Sequence, residues 1–224
     1  EIREGDSTRS VEASAFLSTM PLPELIAKLD PAAPESIQAA AAELRFRDFF
    51  TVCVIVDAPS LFPDNWIYIH EPRVKVARIQ NFKNWSPHMV PDAAKTSLGL
   101  EYFCNQGDDI WNASDAYLIA LAAKELVTTR IIGNESAVQD GCVFRVAKAY
   151  PIYDEEYAAA VESVRNYLAS FDNLVSVGRN GLHRYNNQDH SMLSARMAVE
   201  NLLLGKNTDL WSVNTEERYH ETSG

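Results

Sequence analysis

The sequence predicts an α+β protein: an antiparallel or mixed sheet with helices on one face, joined to a separate strand–turn–helix unit near the C-terminal end. Three observations carry this. Between Asp48 and Cys104, three or four β-branched and aromatic runs follow one another with no helical run between them, the pattern of an antiparallel sheet. Helical runs with apolar residues three and four apart lie outside that block. Finally, Val175 to Leu204 (VSVGRNGLHRYNNQDHSMLSARMAVENLLL) reads as an apolar strand, a Gly/Asn-rich polar turn and an amphipathic helix.

The bulk numbers agree with a packed domain. Of 224 residues, 46% are hydrophobic and 23% charged, enough to build a core and too apolar for a disordered chain. The net charge of -11 argues against nucleic acid or an anionic membrane surface as partner, since both require a basic face. No run of about 18 apolar residues exists, so no membrane span is expected, and no signal peptide is evident. Cys53, Cys104 and Cys142 are far apart and Cys53 and Cys104 lie in apolar runs. They read as buried small hydrophobes in a reducing, cytoplasmic setting. The chain opens on EIREGDSTRS without a Met, so it reads as a fragment or a processed piece.

In order, Glu1–Glu12 suits a hairpin turning at Glu4-Gly5-Asp6. Ala13–Thr19 is a short buried strand, stopped by Met20-Pro21-Leu22-Pro23, and Pro23 suits the first turn of a helix to Leu29. Glu35–Leu44 is an Ala-rich helix with Ile37, Ala40, Ala41 and Leu44 on one face. Asp48–Asp57 is too apolar for a one-faced strand and reads as a central one. Asn65–His70 and Val74–Phe82 alternate as strands. Neither face of Val74–Phe82 is uniformly apolar, so part of it should face a wet cavity. Asn84–Ala94 is an irregular loop, and Thr96–Cys104 a further strand. Ser114 and Asp115 cap a helix to about Thr128. Cys142–Ala149 is a strand, Asp154–Ser170 a helix, and Leu174–Val177 a short buried strand. The last helix should bury Met192, Ala195, Val199, Leu202 and Leu203, with Gly205 as its C-terminal cap. Asn207–Gly224 is a polar tail anchored by Trp211.

Chemistry concentrates in the turn before that last helix. Asn186, Asn187 and Asp189 set turn formers and a capping carboxylate at a helix N-terminus, where free N–H groups and aligned peptide dipoles favour an electron-rich ring or a phosphate. From spacing alone this is equally an ordinary capped helix. Gly178 and Arg179 end a buried strand, where backbone can approach a ligand closely; a solvent-facing Arg after a turn has the same signature. Histidines 70, 88, 183, 190 and 220 lack metal-ligand spacing, so no metal is expected. Ser191 lacks a nucleophile elbow. Asp108-Asp109 and Asp154-Glu155-Glu156 suit loop and helix-start charges better than paired catalytic carboxylates.

The motif Gly178-Arg179-x-Gly181-x-x-Arg184-Tyr185-x-x-x-Asp189, followed by an amphipathic helix, resembles the C-terminal flavin signature of the UDP-galactopyranose mutases, within the amine oxidase and protoporphyrinogen oxidase class of FAD flavoproteins. Ser18-Thr19-Met20-Pro21 is similar to that class's crossover from FAD domain to substrate domain. Ala149-Tyr150-Pro151-Ile152-Tyr153 is similar to its return crossover. The stretch Arg78 to Pro87 looks most like an uncharacterised bacterial branch of NAD(P)/FAD-dependent oxidoreductases. This chain departs from the mutases in carrying Asn186-Asn187-Gln188 for a hydrophobic-acidic-Met run and His183 for an aromatic, and it lacks their full substrate-phosphate constellation.

The resemblance implies an order of domains: residues 1–21 ending an FAD-domain segment, 22–150 a substrate domain, and 151–224 a C-terminal FAD-domain segment and tail. The strand–helix unit then closes an incomplete Rossmann-like FAD domain. FAD is the implied cofactor, with its site incomplete here, because the glycine-rich pyrophosphate turn has no match in the chain. Gly178, Arg179, Gln188, Asp189 and His190 are implied at the cofactor; Arg184, Tyr185 and Tyr150 at the substrate; and Arg78, Asn81 and Asn84 around the reacting centre. The implied function is the C-terminal part of an FAD-dependent, amine-oxidase-like enzyme acting on a small organic molecule. A UDP-sugar mutase using FAD non-oxidatively, and a non-catalytic binding module, stay open beside it. The implied partners are the small molecule and a missing N-terminal FAD-binding half, and a homo-oligomer is compatible with both.

Overall fold

The structure, a computed structural model, describes residues 2–215. His220 and the end of the polar tail lie outside the described residues. The chain divides into two compact units, one of residues 1–46 and 150–224 and one of residues 47–149. The divisions fall after Phe46 and before Tyr150.

The first unit begins with a hairpin, β1 (Ile2–Glu4) and β2 (Ser7–Arg9), turning through Gly5 at φ 59. Strand β3 (Phe16–Ser18) follows, then α1 (Leu22–Ala27), with Pro23 in its first turn, and α2 (Glu35–Ala42). After the return come α6 (Tyr157–Leu168), β9 (Leu174–Ser176), the single turn α7 (Gly178–Gly181) and α8 (Gln188–Leu204). Leu22, Ile26, Ala41 and Leu44 pack with Ala160, Val164 and Leu168 in one core. Each fully buried aliphatic side chain there contributes about 1.5–3 kcal/mol. Trp211, in a 3-10 turn, covers this core as the tail's anchor, and Arg165 pairs with Asp209 beside it at 3.0 Å. Strands β3 and β9 are parallel, with Leu17 opposite Val175.

Helix α8 ends as its sequence requires, at Gly205 with φ 64. Its buried face is a correction. Ser194, Met197 and Ala198 point inward, while Met192 is 72% and Leu203 76% exposed. Periodicity identifies an apolar stripe on a helix but not whether this chain covers it.

The second unit is a five-stranded sheet in the order β5-β6-β7-β4-β8. Its strands are β4 (Phe46–Val56), β5 (Trp66–Tyr68), β6 (Arg78–Asn81), β7 (Thr96–Cys104) and β8 (Val138–Pro151). The pairs β5–β6, β6–β7 and β4–β7 are antiparallel. Short helices α3 (Phe82–Trp85) and α4 (Asp109–Asn112) interrupt the loops. Helix α5 (Asp115–Thr128), capped by the Ser114 hydroxyl accepting from Tyr117 N–H at 3.3 Å, supplies Leu118, Ala122 and Leu126. These join Phe50, Val52, Val54, Leu98, Leu100 and Tyr102 in the core. Only alternate residues of β4 are buried, so the strand is one-faced despite its composition, and Ile55 is left exposed.

The expected strand Val74–Phe82 is regular only over Arg78–Asn81. Before it the chain is tied to α5 by one carboxylate. Buried Glu125 accepts from Lys75 N–H at 2.7 Å, Val76 N–H at 3.1 Å and the Tyr102 hydroxyl at 3.0 Å. Burial, then the neighbouring Glu125 charge, push the Tyr102 phenol far above its ordinary value, so it donates and stays protonated. Replacing Glu125 with Ala strips two buried donors and one part-buried donor of their acceptor. We expect a loss of about 3 kcal/mol in urea unfolding, with faster amide exchange at Lys75 and Val76.

Candidate functional site

The first unit brings together Tyr150, Arg179 and Tyr185. Strand β9 is held against β3, and Val177 N–H extends the pairing by donating to Ser18 C=O at 2.9 Å. Gly178 then turns the chain with φ 82, a conformation open to glycine. Its N–H donates to the Ser194 hydroxyl of α8 at 3.0 Å, and its C=O accepts from Asn186 at 3.4 Å. A Cβ on Gly178 would meet nothing within 4 Å, whereas one on Gly181 would lie 2.8 Å from Ser18 C=O. The close approach therefore belongs to Gly181, and Gly178 supplies the bend.

This turn presents Arg179 to two tyrosine rings. The guanidinium carbon is 4.8 Å from the Tyr150 centroid and 4.4 Å from that of Tyr185. The rings are near-parallel, 5.4 Å apart. Cation–π contact fixes the charge, and Tyr185 N–H is held by the Tyr153 hydroxyl at 2.7 Å. Buried Nε and Nη2 of Arg179 have no hydrogen-bond partner among the described residues.

The same condition recurs along the turn. Ser176 Oγ, Asn180 Oδ1 and Asn186 Oδ1 are buried without partners among the described residues. Buried polar groups are ordinarily paired, at a cost of about 1–3 kcal/mol each when they are not. These atoms are concentrated within eleven residues of the chain. Next to it, α8 begins with Asn187 N–H donating to His190 Nδ1 at 3.3 Å. The Gln188 and Asp189 side chains are exposed in its first turn, and His190 lies 3.5 Å from the Asp189 carboxylate. The cap is Asn187, and not the Asp189 carboxylate.

Arg184 is placed differently. Its Nη1 donates to Val213 and Asn214 C=O at 3.3 and 3.4 Å, tying the tail to the turn. It also lines a cavity of about 530 Å³ with Tyr157, Arg165 and Trp211.

In the second unit, Arg78 lies on the sheet face opposite α5. It forms a forked pair with buried Glu101, at 2.9 Å from Nε and 2.6 Å from Nη2, and Gln80 also donates to that carboxylate. Its guanidinium sits 5.4 Å from the Trp66 ring and 6.0 Å from that of Tyr68. Asn81 turns to the other face, buried, and its Nδ2 approaches Phe62 C=O at 3.4 Å. Asn84 donates to Phe62 and Asp64 C=O at 2.8 and 2.9 Å, pinning the loop before β5. The three residues named from sequence therefore do not present one constellation: Arg78 is part of a polar–aromatic patch, and the two asparagines hold loop backbone.

Several residues escaped sequence reasoning. Glu101, a carboxylate in an otherwise apolar strand, was a legible signal. Asn180 and Ser176 were not, because nothing local distinguishes them from turn residues, and His183 stood out only as a departure from an aromatic. Among the described residues no cluster of His, Cys, Asp or Glu could hold a metal, and no helix is long and apolar enough to cross a membrane.

Comparison with known proteins locates the fold. No family model matches the sequence, and no curated protein matches it. Solved structures do. Reduced UDP-galactopyranose mutase superposes with a TM-score of 0.76 at 23% identity, over 92% of this chain and 44% of that one. A candidate protoporphyrinogen oxidase from Exiguobacterium sp. 255-15 superposes with a TM-score of 0.63 at 21% identity, over 85% of this chain and 41% of that one. The chain thus has the fold expected from its three motifs, a mixed α/β architecture with an antiparallel five-stranded sheet, and spans less than half the length of either structure.

His183 offers a test of the site's burial. It is fully buried, at φ 44, edge-on to Phe46 at 4.5 Å. Burial pushes its pKa down to about 4; the Arg45 backbone and the Asp154 carboxylate oppose the shift without cancelling it. The unfolded chain takes up a proton near the ordinary value of about 6.5 and the folded one does not until about pH 4. Stability should therefore fall by up to about 3 kcal/mol as pH drops through that window. In His183→Phe this part of the pH dependence should be absent from urea midpoints measured between the two values.

Proposed function

We propose that this chain is part of an FAD-dependent oxidoreductase of amine-oxidase type, supplying its substrate domain and the closing segment of its cofactor domain. The observation that carries the reading is the concentration of unpartnered buried polar atoms between Ser176 and Asn186, directly before α8.

The residues present fit such a group. An isoalloxazine edge and a ribityl chain need backbone donors, a fixed positive charge and uncharged hydrogen-bonding side chains. The first turn of α8 offers the N–H groups of Gln188 and Asp189 and the positive end of the helix dipole, with the His190 N–H held by the Asn187 cap. Gly178 supplies the bend of the turn, and Asn180 and Asn186 offer unpaired oxygens. FAD would supply the electron transfer, or an adduct in a non-oxidative reaction. Arg179 would hold an anionic part of the substrate, its orientation set by Tyr150 and Tyr185. The Arg78–Glu101 pair, with Trp66 and Tyr68, would form a polar–aromatic wall for a small organic molecule.

The first unit also supports a missing N-terminal half as partner. A parallel sheet of two strands is not stable alone and needs both faces covered. Here Phe16, Leu17, Met192, Val199 and Leu203 are exposed on β3 and α8. A further parallel strand and helix would cover them and bring the glycine-rich turn that binds the cofactor pyrophosphate. A UDP-sugar mutase is the second reading, favoured by the superposition on reduced UDP-galactopyranose mutase. A non-catalytic module is the third, and predicts no glycine-rich turn upstream.

The full-length protein, gently purified and reconstituted with FAD, should show flavin absorbance; absence of those bands sinks the proposal. This chain alone should show no detectable FAD binding. Peroxide release against UDP-sugar isomerisation separates the two enzymes. Because Arg179 Nε and Nη2 are unpaired, Arg179→Met should change stability by less than about 1 kcal/mol. In the full-length enzyme it should lower kcat/KM about 100-fold or more, as loss of a charged contact does.

A further inference from the structure

Two of the three cysteines meet across neighbouring strands of the five-stranded sheet. Strand β8 runs antiparallel beside β4: Asp57 N–H reaches Ala137 C=O at one end, and Ile152 N–H reaches Arg45 C=O at the other. On β4, Val52 and Val54 lie in the core they share with Leu118 and Ala122 of α5. The two-residue period of a strand therefore puts Cys53, between them, on the opposite face. On β8, a Cβ on Gly141 would lie 3.2 Å from the Ile119 side chain of α5 and 2.9 Å from Cys53 C=O. Gly141 thus faces α5 and lies against the Cys53 backbone, and Val143 packs on the same core. Cys142, between those two, faces the other way, onto the Cys53 side. The two thiols are hydrogen-bonded to each other.

This placement suits disulfide chemistry. Facing residues on antiparallel strands have Cα atoms about 4.5–5.5 Å apart, inside the span that a disulfide bridges. The two sulfurs are also unequal. Cys142 is exposed and Cys53 half-buried. Burial, then the adjoining Cys142 thiol, push the Cys53 thiol up to about 11, so it is held protonated. Cys142 is the sulfur that an oxidant reaches first, and Cys53 is the one waiting beside it. Cys104 has no part in the pair. It is buried with Leu100 and Tyr102 on the α5 face, and it stands opposite Asp48, well along β4 from Cys53.

We propose that Cys53 and Cys142 are a peroxide-reactive dithiol that closes to a disulfide between β4 and β8. The Cys142 thiolate attacks one oxygen of hydrogen peroxide. Its S–O bond forms as the O–O bond breaks, and the departing hydroxide takes up a proton and leaves as water. Cys53 then attacks the Cys142 sulfur. The S–S bond forms, the S–O bond breaks, and the Cys53 proton leaves with the hydroxide as a second water. Two electrons pass from the pair of sulfurs to one peroxide. An external dithiol reopens the bond by exchange and is itself oxidised to its disulfide. The pair lies wholly within the second unit and does not depend on the flavin reading.

To test this, the protein is reduced, freed of reductant, treated with hydrogen peroxide, alkylated and mapped by mass spectrometry. The Cys53 and Cys142 peptides should be recovered joined, with Cys104 alkylated, at a rate independent of protein concentration. Dithiothreitol should restore both thiols. Cys53→Ser should stop at a Cys142 sulfenic acid, captured by dimedone. Cys142→Ser should slow the oxidation of Cys53 about ten-fold or more. Cys104→Ala should leave bond formation unchanged. Circular dichroism checks that each variant is folded, and the mapping of the unsubstituted protein stands without them. Recovery of Cys53 and Cys142 both alkylated after peroxide overturns the proposal. So do joined peptides that come only from two different chains, a Cys142 that passes to sulfinic acid while Cys53 stays a thiol, or a Cys53 that reacts as fast without Cys142.

Discussion

A glycine backbone against a carbonyl sets the geometry of the first unit. Gly181 lies so close to Ser18 C=O that a methyl group would stand 2.8 Å from it. This contact, with Val177 N–H on the same oxygen, seats the turn after β9 on the end of β3. Two segments more than 150 residues apart are thereby locked together. Everything chemical in the unit follows from that seating. The turn must be tight, so Gly178 takes a left-handed φ. Its short polar residues are forced inside, where they lack partners, and Arg179 is delivered to the Tyr150 and Tyr185 rings.

The second unit is organised by two buried carboxylates. Glu125 gathers the Lys75 and Val76 N–H groups and the Tyr102 hydroxyl, so that a non-regular segment is as firmly bound as a strand. Glu101 does the same on the other sheet face for Arg78 and Gln80. A buried charge is tolerated only with such complete pairing. The contrast with the first unit is physical. Here the buried polar groups are largely satisfied and hold structure, while there several are left without partners among the described residues.

The fold was largely legible because its signals are local. Alternation in Thr96–Cys104, the Ser114 cap, the prolines around α1 and Gly205 after α8 each act within a few residues. Errors arose where burial depends on what lies across space. β4 is apolar on both faces, yet one face is open. The stripe Met192, Val199, Leu203 is apolar and periodic, yet exposed, while Ser194 is inside because it caps Gly178 N–H. Gly178, Arg179, Tyr185 and Tyr150 could be picked out of the sequence as neighbours, and the fold brings them together. The roles of Asn81 and Asn84 could not, since a carbonyl twenty residues away decides them.

The sequence by itself determined the element types, the sheet class and the presence of a Gly-Arg turn before a capped helix, because dihedral preferences and hydrophobic period are properties of neighbouring residues. Tertiary structure alone decided which glycine is sterically obligatory, which apolar stripe is covered, and which polar atoms are buried without partners. These are set by contacts between segments distant in the chain, and a one-dimensional pattern carries no distance between them.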